Sequence, residues 1–366
     1  MLNETMYRMA LQYLPHYGNV LIKKLIQETG TAAQAFDISP KVMAKFRKYN
    51  RFLPKPVLTP EIEKRVEKEY AWMQKHDVSL CFFADNDYPK RLRNCPDAPY
   101  MFYYGGNNQF NTPRSIAIVG TRNASSYGKD VVKKLISECA PYNVSVISGL
   151  AEGIDTVAHE QALAFGMNTI AVLGSGLGHL YPSSNQKLAQ NILKKEGTLI
   201  SEYPYNTKPD KQNFPKRNRI IAGLSDTVVV AESAKKGGSI ITAHIAQSYN
   251  RDVFAMPGSL FQPSYTGCHE LIRNNIAAIV TSGDELAAMM GWNQETSKPI
   301  QRSLFVDLSD TEQGIVDLIK KHNEISIDEI NLLTPQLTPS KIAGVLLGLE
   351  LNGVVECKPG KVYRLA

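Results

Sequence analysis

The chain has 366 residues, with 41 Lys and Arg against 35 Asp and Glu, a formal net charge of +6. Apolar residues make up 43% and charged residues 21%, a globular composition that excludes a disordered chain, a collagen-like repeat and an isolated mini-domain. At roughly 150 residues per domain, the length implies two or three domains.

The charge is uneven. Residues 1–76 hold 13 basic and 7 acidic side chains, residues 77–302 hold 22 and 19, and residues 303–366 hold 6 and 9. The beginning is therefore basic and the end acidic. Cys81, Cys95, Cys139, Cys268 and Cys357 are scattered without a CxxC pair, so reduced thiols of a cytoplasmic protein are expected, not a zinc ribbon or a disulfide framework. The start, MLNETMYRMALQYLPHYG, lacks the basic and apolar regions of a signal peptide. No run approaches the roughly 20 apolar residues of a membrane span.

Residues 4–36 predict two or three short helices. Leu14–Val20 (LPHYGNV), followed by LIKKLIQETG, resembles the turn of a helix-hairpin-helix module, in which backbone N–H groups at a helix N-terminus can meet a phosphate. The turn reads PHYG and lacks one of the usual glycines. A small docking bundle is the other reading of this segment. Lys41–Lys55 is basic, and Asn50–Pro60 carries three prolines and reads as a linker. These bounds set an N-terminal helical module at 1–60 and a core at 61–295.

From Ser79 onward, short Val- and Ile-rich runs alternate with amphipathic segments. The runs lie at 115–120, 144–148, 168–174, 197–201, 226–233, 251–258 and 277–281. They lack polar alternation, as strands buried on both faces do. Helices are predicted between them at Gly128–Ala140, Asp155–Phe165 and Ser239–Tyr249. This is an α/β fold: a Rossmann-like, doubly wound, open parallel sheet, with ligands at the carboxyl ends of its strands. Glycine loops fall at those ends: Gly120–Gly128, Ser148–Asp155, Gly174–Gly178 and Lys235–Ser239. Glycine lets backbone donors approach an anion closely. None of the loops completes GxGxxG, and GxxxxGK followed by Ser or Thr is absent.

The most basic patch of the core is Lys208–Arg219, with Lys208, Lys211, Lys216, Arg217 and Arg219 against Asp210, and Phe214 in the middle. Cations that track phosphates and a ring that stacks on a base are the physics of single-strand binding; a solvated loop with Phe214 in the core is the alternative. Asp155 and His159 share a helix face, with Asp155 read as an N-cap. No catalytic triad and no metal-ligand set is expected, and no cofactor is called.

After a polar linker at Asn293–Arg302, residues 303–366 read as a winged-helix-like module. Helices are predicted at Asp310–His322, Ser326–Leu333 and Thr338–Asn352, then a terminal hairpin. Its third helix carries Lys341 as its only cation, which favours protein interaction or autoregulation over duplex reading.

Ordered blocks across the core carry a family resemblance: GTR at 120–122, SGLAEGID at 148–155, GSG with YPSSN at 174–185, SEYP at 201–204, FPKRNRIIAGLSD at 214–226, KKGGSIITA at 235–243, and MPGS with GCHELI at 256–272. The chain resembles the DNA-processing protein A (DprA/Smf) family. The resemblance implies a non-catalytic, homodimeric single-stranded DNA-binding mediator, paired through the Rossmann-like domain, that loads the RecA recombinase during natural transformation. It implies a DNA groove lined by Arg122, Lys211, Phe214, Lys216, Arg217 and Arg219, with phosphate-directed donors at Ser148, Gly149, Gly176, Gly238 and Ser239. The family usually has an Asp-Gly-Ala-like turn where this chain has Asn274-Asn275-Ile276-Ala277; Asn tolerates the left-handed backbone such a turn needs. The competing reading is a Rossmann-like nucleotide phosphoribohydrolase of the lysine-decarboxylase-like group. That reading needs a Glu shortly after the glycines, where this chain has GGSIITAHIAQ. A winged-helix transcription regulator is a third reading, disfavoured by the last helix.

Overall fold

The structure is a computed structural model that describes residues 2–292, 308–352, 354–358 and 361–365. The expected linker at 293–302 lies outside the described residues. The chain divides into two compact units, Met1–Glu295 and Thr296–Ala366.

The first unit begins with five helices: α1 (Glu4–Leu11), α2 (Asn19–Thr29), α3 (Ala32–Phe36), α4 (Pro40–Arg47) and α5 (Pro60–Lys75). Asn3, Thr31, Ser39 and Thr59 cap four of them, each accepting from a backbone N–H three residues on. Their apolar faces form one cluster with the strands that follow, through Met9, Leu25, Phe46, Val66, Phe82 and Tyr103. The proline-rich stretch after α4 packs into this cluster. Leu53 is buried, and the Tyr17 hydroxyl donates to the Pro54 carbonyl at 2.7 Å.

There follow β1 (Val78–Phe82), α6 (Lys90–Arg93), β2 (Met101–Gly106), β3 (Arg114–Gly120), α7 (Ser126–Cys139), β4 (Val144–Ser148), α8 (Ile154–Ala164), β5 (Thr169–Leu173), α9 (Gln186–Lys194), β6 (Thr198–Ser201), α10 (Asn213–Leu224), β7 (Thr227–Glu232), α11 (Gly238–Ser248), β8 (Asp252–Ala255), α12 (Thr266–Arg273), β9 (Ala278–Ile279) and α13 (Gly283–Met289). The strands form a nine-stranded sheet in the order β1-β2-β6-β5-β4-β3-β7-β8-β9. Both faces of its centre are covered. Ile116 and Ile118 of β3 pack with Val132 of α7 and Ile154 of α8. Ala117 and Val119 pack with Ile220 of α10 and Ala243 of α11. This two-sided burial is why the strands show no polar alternation.

The seven runs read as strands all lie in this sheet. They pair in parallel as expected, and the entry strands add an exception: β2 is antiparallel to both β1 and β6. Alternation of strand and helix dictates direction only from β3 onward, and β1 and β2 enter before it begins. At the far end, Asn275 takes the left-handed conformation, φ 56°, as the replaced turn requires. From β3 the chain winds outward through β4, β5 and β6, then returns to lay β7, β8 and β9 on the other side of β3. The loops after β3 and β7 therefore part at a topological switch point, which opens a crevice.

The second unit comprises α14 (Asp310–His322), β10 (Glu324–Ser326), α15 (Ile327–Leu333), α16 (Pro339–Leu351), β11 (Val355–Lys358) and β12 (Val362–Leu365). Capping boxes at Ser309/Glu312 and Ser326/Glu329 start the first two helices, and Thr338 with Pro339 starts the third. The strands pair in the order β10-β12-β11. The fold is a winged helix, with β10 an addition that a three-residue segment was too short to announce. Among the described residues no helix is long and apolar enough to cross a membrane. The five cysteines are free thiols, and four of them are buried.

Candidate nucleic-acid interface

Two walls of the crevice are fixed by one buried carboxylate. Glu232, at the end of β7, accepts from the Ser125 N–H at 2.9 Å and from its hydroxyl at 3.0 Å. Ser125 in turn caps α7. Gly128 is needed here, because a Cβ would fall 2.0 Å from the Glu232 carboxylate. The Thr121 N–H donates to the Glu232 carbonyl at 2.8 Å. The loop that carries Arg122 is thus tied to the neighbouring strand.

The third wall is the turn after β4. Leu150 (φ 56°) and Gly153 (φ 81°) both take left-handed backbone. Asp155, in the first turn of α8, reaches back to accept from the N–H groups of Gly149 at 3.0 Å and Ala151 at 3.4 Å. Asp155 is therefore not the N-cap, which is Gly153; the carboxylate pins the loop instead. His159 faces inward and shares a hydrogen bond with Thr169 at 2.8 Å. Burial, reinforced by the Arg217 charge, pushes its pKa down to about 3.

Arg217 lies under this loop and is only 5% exposed. Its Nη1 donates to the Gly149 carbonyl at 2.6 Å and to the Val172 carbonyl, joining the ends of β4 and β5. A Cβ on Gly149 would stand 2.5 Å from the guanidinium, so glycine here makes room for a side chain. Burial lowers the Arg217 pKa to about 10 against the pull of Asp155, whose own pKa burial raises. Arg217 lines the crevice from beneath.

Phe214 and Arg122 meet above it. The ring lies over Gly174, where a Cβ would come within 2.8 Å, and 5.7 Å from the ring of Tyr181. The Arg122 guanidinium carbon sits 5.2 Å from the Phe214 centroid, a cation–π distance. Arg122 is otherwise exposed, as are Lys211, in the turn before α10, and Lys216, in its first turn. Opposite, α11 begins at Gly238 after Gly237, with no side-chain cap, so its first N–H groups face outward. The crevice holds about 300 Å³ and is lined by Arg122, Phe214, Arg217, Asn218, Gly238 and Ser239, among others.

The structure thus brings Arg122, Phe214, Arg217, Gly238 and Ser239 together, sets Lys216 on the helix that forms one wall and puts Lys211 in the turn just before it. Four expectations need correction. The Ser148 hydroxyl is buried and donates to the Ile118 carbonyl at 2.7 Å, so it faces the sheet. The Gly149 N–H is held by Asp155. The Gly176 N–H donates to Thr207 at 2.9 Å, and a Cβ there would strike the Pro204 carbonyl at 2.0 Å; its lack of a side chain serves packing. Arg219 leaves the crevice altogether: two positions from Arg217, it turns to the other side of α10 and pairs with Glu202 at 2.5 Å. The hydroxyl of Ser239 is likewise engaged, donating to Ser233 at 2.7 Å, which leaves its backbone N–H.

Asn19, at the start of α2, also donates to Glu202 at 2.8 Å. At the start of the hairpin's second helix the Asn19 side chain thus faces a carboxylate of the core. Sequence reasoning missed Tyr181, 41% exposed beside Phe214. The only signal for it was the aromatic in the Tyr-Pro-Ser-Ser-Asn block.

Comparison with known proteins fits this geometry. The family described as DNA recombination-mediator protein A matches residues 79–291, and the DprA winged helix domain matches residues 304–361. Protein Smf of Synechocystis sp. is 30% identical over 99% of both chains. The DNA processing protein DprA of Bacillus subtilis is 37% identical over 66% of this chain and 82% of its own. Among solved structures, DprA from Streptococcus pneumoniae superposes with a TM-score of 0.57 at 34% identity, over 74% of this chain and 98% of its own. DNA processing protein A from Helicobacter pylori, described for its single-stranded DNA binding mode, gives 0.53 at 30% identity, over 59% and 97%. With the switch-point crevice, its glycine loops and the winged helix matched in one chain, this protein belongs to the DprA/Smf family of DNA processing proteins.

Proposed function

We propose that the crevice binds single-stranded DNA and that the protein, as a homodimer paired through its Rossmann-like domain, hands the strand to the RecA recombinase in the cytoplasm without chemistry of its own. The reading treats 1–60, 61–295 and 303–366 as a helical module, the DNA-binding core and a winged-helix module. The observation that carries it is the cation–π pair of Arg122 and Phe214. Beside it stand exposed Lys211 and Lys216 and the uncapped start of α11. Cations follow the backbone, helix N–H groups donate to a phosphate, and the ring offers a face to a base.

Leu260 and Phe261, 79% and 95% exposed on the loop before α12, support pairing through this domain. Leu332 and Leu351 are each 80% exposed in the second unit, and exposed leucines suit a protein partner better than duplex DNA. The test is binding to oligo-dT against duplex of equal length across a salt series. Tighter single-strand binding with steep salt dependence is expected, and Arg122→Ala or Lys211→Ala should weaken it. Unchanged affinity and salt slope in both variants would sink the assignment. Release of ribose phosphate from a mononucleotide would support the hydrolase reading in its place.

A further inference from the structure

We infer that the segment from α4 to the proline-rich stretch, residues 41–55, is a second contact for single-stranded DNA, on which Tyr49 and Phe52 stack bases outside the crevice. The inference rests on the proposed single-strand reading and extends it. Lys41, Lys45, Arg47, Lys48, Arg51 and Lys55 are six cations in fifteen residues without one acid, and all six are exposed. Only Lys45 has a carboxylate partner among the described residues, Glu28 at 2.7 Å.

A charge run alone is usually a solvated face. Here two rings stand in it, Tyr49 at 63% and Phe52 at 78% exposure. Folding has not left them out for lack of a core: Met43, Phe46 and Leu53, interleaved with them, are buried. The backbone between is built. Asn50 accepts from the Phe52 N–H at 3.0 Å through its side chain and from the Leu53 N–H at 3.0 Å through its carbonyl, and Tyr17 holds Pro54. This pinned turn directs Leu53 inward and Phe52 outward. Each ring already carries a cation, Lys24 at 4.0 Å from the Tyr49 centroid and Arg51 at 4.8 Å from that of Phe52. Exposed rings interleaved with unpaired cations match a polyanion that presents flat apolar faces, which a single strand does and a duplex does not. An anionic membrane surface shares the charge but offers no stacking partner.

The test uses the full-length protein, with a short oligo-dT of about six nucleotides and a long one of about thirty. A Tyr49→Ala/Phe52→Ala variant should bind the long strand roughly tenfold more weakly and the short one unchanged. An Arg47→Ala/Lys48→Ala/Arg51→Ala variant should lower the salt slope for the long strand by about 2. Phe52→Trp should be quenched by the long strand. These side chains are exposed, so the variants should keep the wild-type melting temperature. Wild-type binding of both lengths by both multiple variants, with a Lys211→Ala/Lys216→Ala variant weakened, would overturn this inference and leave the crevice reading intact. If the Lys211→Ala/Lys216→Ala variant matches wild type while the Tyr49 and Arg47 sets weaken the long strand, the crevice reading falls and the platform stands. Loss of binding to phosphatidylserine vesicles with no change on oligo-dT would also overturn the inference.

Discussion

Lys208–Arg219 and Lys41–Lys55 look alike as strings, each with five or six cations and at most one acid, yet the fold uses them differently. In the first, Arg217 is buried as a clamp between β4 and β5, and Arg219 is paired with Glu202. In the second, only Lys45 is paired among the described residues. A cation's availability to a ligand therefore depends on which side of its helix faces the core. Residues two apart on α10 are placed on different sides, as are neighbours such as Phe52 and Leu53.

The comparison can be broken by substitution. The largest effect is expected at Arg217. Arg217→Ala leaves two carbonyls and the buried Asp155 without their counterpart, and should cost about 3 kcal/mol of stability, read by urea unfolding. A wild-type midpoint would show that the clamp carries no load. The next effect is on pH dependence. His159 has a folded pKa of about 3, below its unfolded value near 6.5, so the unfolded state binds the extra proton between those values. Stability should be full above about pH 6.5 and fall by roughly 2 kcal/mol at pH 5. His159→Asn should flatten the profile relative to wild type. Asp155, whose pKa burial raises, acts in the opposite sense within that range, from its raised folded value down to an unfolded value near 3.9, because its folded form takes up a proton first.

A smaller loss is expected from Arg219→Ala, about 1.5 kcal/mol, since its ion pair is largely shielded from solvent, with no direct effect on oligo-dT affinity. Arg122→Ala should change stability by less than about 0.5 kcal/mol and lower the single-strand salt slope by about 0.7. If Arg219→Ala alters that slope while Arg122→Ala does not, the division into structural and available cations is reversed.

Much of this was legible from the chain. Val- and Ile-rich runs without alternation located the central strands, because burial on both faces removes the polar half of the pattern. Glycine clusters marked the strand ends. Their separate purposes were not legible: Gly128 and Gly149 make room for the side chains of Glu232 and Arg217, and Gly176 for a neighbouring carbonyl. Those neighbours are distant in sequence, so a rule about backbone donors assigned phosphate contacts to glycines that serve packing. The antiparallel entry strands escaped for a related reason, since a short apolar run carries no mark of direction. Tyr181 and the inward face of Asn19 depend on tertiary placement alone.

Arg122 rests on the Phe214 ring before any ligand arrives, and that ring is itself seated over Gly174 and beside Tyr181. Immobilising a long side chain on binding commonly costs about 0.5–1.5 kcal/mol. Where the side chain is already ordered, much of that cost falls on folding. The crevice should then capture a strand without a slow rearrangement step, and its association rate should follow diffusion and ionic strength.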